Sequence, residues 1–396
     1  MAQRKAIQKP GLLSSPYLAK ESEPPGGANP ASAHGPGYGP EYEPGYGPGY
    51  EPGYGPGYGP RGELALIELI RKRAARIKPS AKGKAQIQMG IGDDCALLRP
   101  RAGHELAVTT DLSIEGRHFR LDWHPPESIG HRALARGLSD LAAMGARPVA
   151  AFLSLALPRD LTVQFEDLGW MERFLDGLLS LAARYNVPLA GGDLAESPLA
   201  LADVVLTGSV PQGKALLRSG AKPGDLIYVT GSLGGSAAQL AAMSTPTFVT
   251  VDETGMNGMF THGDEPHFYP EPRIAQGLWL RKRGVASAAM DISDGLSTDL
   301  AHLVKASAVA AEIVAERIPL GRNATLAMAL HGGEDYELLF TAPAERKLPR
   351  KIAGVALTQI GRILPWKRKQ PRVTLIGAEG SEALEPLGWE HFSDRA

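Results

Sequence analysis

Residues 127–157 read ESIGHRALARGLSDLAAMGARPVAAFLSLAL. Glu127 to Met144 carries a helical pattern that stops at Gly145, and Val149 to Leu157 is a β-rich apolar run. A helix handing over to a strand across one glycine is the unit of a mixed α/β protein. The same texture extends in both directions. Leu106 to Thr110 reads as a strand, Phe165 to Tyr185 as a helix, and Val187 to Ala190 and Leu201 to Val210 as strands. Further upstream, Leu64, Ile67, Ile70, Ala74 and Ile77 recur at helical spacing.

Around Gly213 to Gly224 the chain turns polar and glycine-punctuated, which predicts a domain boundary there. A second α/β series follows. It has strands at Leu226 to Thr230 and Ala288 to Ile292, a helix after Gly234, and another from Leu296 to Ala306. Further strands are expected near Ala311 to Val314 and Leu338 to Thr341, and Met243 to Pro270 reads as a long surface loop. The expected organisation is a tail at 1–60, an α/β domain at 61–213 and a second at 214–396, α/β (α+β) in class.

The tail differs in kind from the rest. Of the 26 residues from Gly35 to Pro60, 17 are Gly or Pro, and six of the chain's 11 tyrosines recur there every fourth residue. Such a stretch has no aliphatic side chains to bury and predicts a disordered low-complexity extension; the alternative is a tyrosine-bearing segment that recruits an unknown partner. Over the 396 residues, 42 Lys+Arg against 43 Asp+Glu leave a net charge of -1, which argues against a nucleic-acid binder. One cysteine permits no intrachain disulfide. With no signal-peptide pattern and no transmembrane run, the expected setting is cytoplasmic, away from membranes.

The aspartates fall at the ends of predicted strands or on glycine-marked turns: Gly92-Asp93-Asp94, Thr109-Thr110-Asp111, Gly191-Gly192-Asp193 and Asp291-Ile292-Ser293-Asp294-Gly295. Asp140 lies in Leu138-Ser139-Asp140-Leu141. Any one of these is readily an ordinary turn residue, because Asp bonds its own backbone and Gly supplies positive φ. Five sites with little Lys or Arg beside them favour convergence on a cation. An all-oxygen set without clustered His or Cys suits Mg²⁺, and Mg²⁺ held by carboxylates together with substrate phosphates serves phosphoryl transfer. Neither a Walker A motif nor a protein-kinase catalytic loop occurs. Thr230 to Ser236 (TGSLGGS) is either a phosphate-binding turn or a plain strand-to-helix connection.

Five phrases in order, Gly90 to Ala96 (GIGDDCA), Leu138 to Ala146 (LSDLAAMGA), Arg218 to Asp225 (RSGAKPGD), Asp291 to Leu296 (DISDGL) and Gly332 to Phe340 (GGEDYELLF), resemble the thiamine-monophosphate kinase family from about residue 62 onward. The resemblance implies a two-domain fold of the aminoimidazole ribonucleotide synthetase type, paired as a homodimer. It also implies ATP-dependent phosphorylation of thiamine monophosphate to thiamine diphosphate with several Mg²⁺ ions. By motif, Asp94, Thr109, Thr110, Asp111, Asp140, Asp193, Asp291 and Asp294 are the implied metal ligands. Gly192, Asp193, Arg218 and Ser293 would meet ATP, and His118, Glu334 and Trp389 the thiamine monophosphate. A carboxylate can pair with an aminopyrimidine, and an indole can stack on a cationic heteroaromatic. On residues alone, the last three read as a surface histidine, a strand-initiating glutamate and a C-terminal aromatic packed on the body. The acceptor is a phosphate oxygen, largely deprotonated at neutral pH, so no general base is expected and Asp140 and Arg218 are the most critical groups.

The chain departs from the family pattern at Leu112-Ser113, Gly137, Leu194, Leu217 and Tyr269, and Ala315 to His331 is short. The first four remove no charged ligand; Tyr269 stands where the resemblance implies an Arg, and that change together with the short segment bears on the shape of the substrate pocket. The competing readings are another ATP-dependent enzyme of the same superfamily and a catalytically dead nucleotide-binding scaffold acting through its tail. Selenophosphate synthetase would want a reactive cysteine near the N-terminus, whereas Cys95 between Asp94 and Ala96 is expected to be a small buried residue.

Overall fold

The computed structural model describes residues 63–76, 86–91, 94–162, 169–244 and 265–390. The expected tail, Ile77 and the Gly92-Asp93 pair lie outside them. The first half opens with helix α1 (Glu63–Ala74) and a two-stranded sheet of β1 (Ile87–Met89) and β2 (Leu97–Leu98). It continues through β3 (His104–Ile114), α2 (Pro126–Ala143), β4 (Arg147–Leu157), α3 (Trp170–Tyr185), β5 (Leu189–Glu196) and β6 (Leu201–Pro211). Four of these strands form a sheet in the order β3-β6-β4-β5, with β4 and β5 parallel and the other pairs antiparallel.

The second half runs β7 (Leu226–Thr230), α4 (Gly235–Ser244), α5 (Ile274–Arg283), β8 (Ala288–Ile292), α6 (Leu296–Ala306) and β9 (Ala310–Val314). Then come α7 (Leu326–His331), β10 (Glu337–Ala342), β11 (Lys351–Ile352), β12 (Val355–Leu364), β13 (Val373–Gly377) and β14 (Gly380–Ala383). Its sheet has the order β14-β13-β9-β12-β7-β10-β8, with β11 paired to β12. Among the described residues no helix is long and apolar enough to cross a membrane.

Helix α2 organises the molecule. Leu134, Leu138 and Leu141, at i, i+4 and i+7, are fully buried, and α2 packs on α3, on the four-stranded sheet, and on α5, β8 and β10 of the second half. Each such leucine contributes about 1.5–3 kcal/mol by leaving water. The crossing with α5 needs a missing side chain, because a Cβ on Gly277 would stand 1.9 Å from the carbonyl oxygen of Ala142.

The structure redraws four sequence expectations. The strand expected to end at Thr110 continues to Ile114, paired along its whole length with β6, so Asp111 is mid-strand and not at a strand end. Gly191-Gly192-Asp193 likewise lies inside β5, paired with β4, and not on a turn. Of the expected surface loop Met243 to Pro270, residues 245–264 are outside the description, yet Glu265, His267 and Phe268 are buried against the body. Cys95 is exposed, where burial was expected. Its segment carries the short strand β2 at the surface and does not enter the core.

Candidate active site

Strand alternation sorts the β3 residues by face. Thr109 and Asp111 stand opposite Leu206 and Val204 and face α2, and there the Thr109 hydroxyl donates to the Asp140 carboxylate. Thr110 points the other way, with the exposed Leu106, Val108 and Leu112.

Helix α2 presents Arg132, Arg136, Ser139 and Asp140 along one stripe at i, i+4, i+7 and i+8. Arg136 lies 3.3 Å from the Asp111 carboxylate. The Ser139 hydroxyl donates to Asp291 Oδ2 at 2.7 Å, tying the first half to the end of β8. After β8, the loop Ser293-Asp294-Gly295 is shaped by the buried Asp299, whose carboxylate accepts the backbone N–H groups of Ser293 and Asp294 at 3.1 Å each. Burial, with repulsion from Asp291 and Asp294, holds the Asp299 carboxyl well above the usual range.

Two further segments dock on that loop. Glu334 N donates to Ser293 O at 2.7 Å and Tyr336 N to Ile292 O at 2.9 Å. Both residues adopt positive φ, 56° and 51°. Such backbone costs on the order of 1–3 kcal/mol per residue and persists only where surroundings enforce it. Near the C-terminus, Trp389 N donates to Asp294 O at 3.0 Å. The turn before it must be glycine, because a Cβ on Gly388 would lie 1.9 Å from the same oxygen.

These pieces enclose a cavity of about 480 Å³ lined by Asp111, His118, Arg136, Asp140, Asp291, Ser293, Asp294, Glu334 and Trp389, among others. His118 accepts the Ile114 N–H on Nδ1 at 3.1 Å. Glu334 precedes β10, which begins at Glu337, and is not its first residue. Trp389, 46% exposed, lines the cavity and does not pack into the body. Arg218 is exposed, and its charge favours the ionised form of Asp140 from nearby.

The other three site candidates are elsewhere. Asp94, Gly192 and Asp193 line a separate cavity of about 750 Å³ along β5, walled by α1. The glycine-rich turn after β7 is occupied internally: Gly234 N donates to the half-buried Asp335 carboxyl at 2.8 Å. That favours its reading as a strand-to-helix connection.

Electrostatics mark the main cavity as a place for positive charge. Burial raises the Asp111 carboxyl to about 6, with Asp140 and Asp203 adding to this against the pull of Arg136. Burial also raises Asp140, opposed by the Thr109 hydroxyl, Arg218 and Arg136. Asp291 is pushed up to about 7, by burial first and then by the charges of Asp140 and Asp111. Among the described residues no group of three Asp, Glu, His or Cys side chains already stands as a metal cage. The donor set nevertheless fits a hard divalent cation: it is all oxygen, and its members repel one another in a way that a bound cation relieves.

The sequence reading passed over Arg132, Arg136, Asp299 and Asp335. The two arginines had a legible signal, since they precede Asp140 on the same helical stripe. The two aspartates act through backbone N–H groups brought to them by folding, which no spacing reveals.

Comparison with known proteins places this cavity in context. The AIR synthase related protein N-terminal domain matches residues 92–210, and the corresponding C-terminal domain matches 222–373. The chain is 42% identical over 301 residues to the thiamine-monophosphate kinase of Salmonella typhimurium, covering 74% of this chain and 86% of that protein. Among solved structures it is similar to the thiamine-monophosphate kinase from Stenotrophomonas maltophilia K279a, with 37% identity, TM-score 0.62, and 78% and 95% of the two chains covered. It is also similar to a structure described as AaThiL complexed with AMPPCP and TMP, with 33% identity, TM-score 0.61, and 84% and 97% covered.

Proposed function

Because the chain belongs to the thiamine-monophosphate kinase family, we propose that it transfers the γ-phosphoryl group of ATP to the phosphate of thiamine monophosphate, giving thiamine diphosphate. The observation that carries this reading is the single cavity that gathers Asp111, Asp140, Asp291 and Asp294 with His118, Glu334 and Trp389. The acids suit a cation-bridged triphosphate; the carboxylate, imidazole and indole that line the same cavity suit a cationic heteroaromatic acceptor. The family member solved with an ATP analogue and TMP supports the same pair of substrates.

The chemical task is to bring two anions into line. The acceptor phosphate is largely deprotonated near neutral pH, its second pKa being about 6, so no side chain need remove a proton. Mg²⁺, when bound, supplies charge neutralisation. Asp111, Asp140, Asp291 and Asp294 would hold it on the main cavity, with Thr109 orienting Asp140. Asp94 and Asp193, with Gly192, would serve metal and nucleotide from the β5 side, and Thr110 is the implied ligand whose face points away from the cavity. Arg218 would neutralise phosphate charge and Ser293 contact the nucleotide. His118, Glu334 and Trp389 would seat the thiamine moiety.

The same reading includes a homodimer, a cytoplasmic setting and a division into domains near residue 213. Dimer formation is supported by the exposed apolar row Leu106, Val108 and Leu112 on edge strand β3, which are 40%, 62% and 43% accessible. Residues 1–60 are left to an unknown partner, and their deletion should leave turnover unchanged. The deciding experiment is chromatographic detection of thiamine diphosphate from purified protein with ATP, Mg²⁺ and thiamine monophosphate, with and without chelator. Chelator-sensitive product is expected. ATP binding without product overturns the reading in favour of a scaffold or another superfamily enzyme.

A further inference from the structure

Behind the thiamine side of the cavity, on the α2 stripe, lies Arg132, only 4% exposed. Its Nη2 donates to Glu334 Oε1 at 2.7 Å and to the His118 carbonyl at 3.2 Å, while Nη1 donates to the His267 carbonyl. One guanidinium therefore binds both Glu334 and the backbone of His118, two residues brought together from opposite halves of the chain.

His124 and His267, which line the cavity beside it, complete the arrangement. His124 Nδ1 lies 3.2 Å from Arg120 N and 3.1 Å from Arg120 O, and its Nε2 lies 3.0 Å from His267 Nε2. Burial and the charge of Arg132 depress both imidazoles, His124 to about 4, so both are neutral near pH 7. His267 Nδ1 lies 3.2 Å from Arg132 Nη1, which donates to it, 3.0 Å from Ser236 Oγ and 3.3 Å from Glu334 Oε2.

We infer that Arg132 is the positioning residue of the candidate acceptor site: it fixes the Glu334 carboxylate and the His118 backbone in one orientation, so that acceptor affinity depends on a side chain that does not line the cavity. The inference rests on the proposed kinase reading. A carboxylate on a positive-φ loop has many other orientations available, and a buried fork fixes one of them.

The test is steady-state kinetics on wild type, Arg132→Gln, Arg132→Lys, Glu334→Gln and the Arg132→Gln/Glu334→Gln double variant, with each substrate varied in turn. Loss of one charge-assisted hydrogen bond to a seating group predicts about a 10- to 100-fold rise in KM for thiamine monophosphate. KM for ATP should stay within about twofold and kcat within a few fold. Arg132→Lys should recover part of the loss, since an ammonium keeps the charge but lacks the second nitrogen that bonds the His267 carbonyl. In the Glu334→Gln background, Arg132→Gln should add less than about threefold, because its effect runs through a group already removed.

An unchanged acceptor KM in Arg132→Gln overturns the assignment, as does a parallel rise in both KM values or full multiplication of the two single effects. If Arg132→Gln does not fold by circular dichroism, Arg132→Lys carries the same test: a selective acceptor KM rise supports the assignment and none overturns it. Absence of turnover in wild type overturns the kinase reading itself and the assignment with it, a result distinct from normal wild-type turnover with an insensitive Arg132.

Discussion

Asp291 makes a stringent case for a site whose stability is spent on binding charge. It is 3% exposed, and its carboxyl is pushed from 3.8 up to about 7 by burial and by Asp140 and Asp111. At about 1.4 kcal/mol per pKa unit, that rise sets a ceiling of roughly 4 kcal/mol on the cost of holding the group ionised in the cation-free protein. Asn in its place keeps an oxygen for the Ser139 hydroxyl and removes the charge. Because the repulsion is shared with Asp140, the expected gain is about 1–3 kcal/mol. The sign follows from linkage. A carboxyl whose folded pKa is raised binds more protons in the native than in the unfolded state between about pH 4 and 7, so wild-type stability falls across that window and levels off above it. The advantage of Asp291→Asn should therefore be near zero below pH 4 and complete above pH 7. Urea unfolding in chelator from pH 5 to 8 reads this directly. Adding Mg²⁺ should then stabilise wild type and much less the variant, which should also lose turnover. A variant less stable than wild type by more than about 1 kcal/mol at pH 8 in chelator would refute the argument that this carboxylate is held in a strained, cation-seeking state.

Val108→Glu places a charge in the exposed row on β3; light scattering is expected to find a dimer for wild type and monomer for the variant, and a dimer of unchanged stability would remove that face from the interface. Trp389→Ala should raise KM for thiamine monophosphate by about tenfold with the fold intact, as expected for loss of a cation–π contact of about 1–2 kcal/mol; an unchanged KM would show that the indole does not seat the acceptor. Leu138→Ala, in the fully buried stripe of α2, should cost about 2–5 kcal/mol by thermal or denaturant unfolding. A loss below 1 kcal/mol would mean that α2 is not the packing centre described above.

Much of the site was legible before folding was considered. Asp111, Asp140, Asp291, Asp294, His118, Glu334 and Trp389 were all marked by motif, and all line one cavity. What could not be seen was how Asp94, Gly192 and Asp193 group with one another along β5, apart from that set. Nor could the sequence show that Thr110, adjacent to two inward-facing residues, faces away; that required knowing that the strand continues past it in unbroken register with β6.

The elements themselves were readable because apolar periodicity is a local property: a helix such as α2 or a strand such as β8 needs only its own side chains to declare its period. The acidic set was readable from its phrases, because a cluster of carboxylates is costly to bury without a cation. The strand-end placement read from the sequence holds for Asp291 and not for Asp111 or Asp193, which lie inside β3 and β5. Juxtaposition was not readable. That Ser139 meets Asp291, that Arg132 meets both Glu334 and His118, and that Gly388 sits against Asp294 depends on the crossing of α2 with the second half and on the seating of the C-terminal turn. Those distances come from packing of surfaces far apart in the chain, where a fraction of an ångström separates a hydrogen bond from a clash, and no local pattern carries that information.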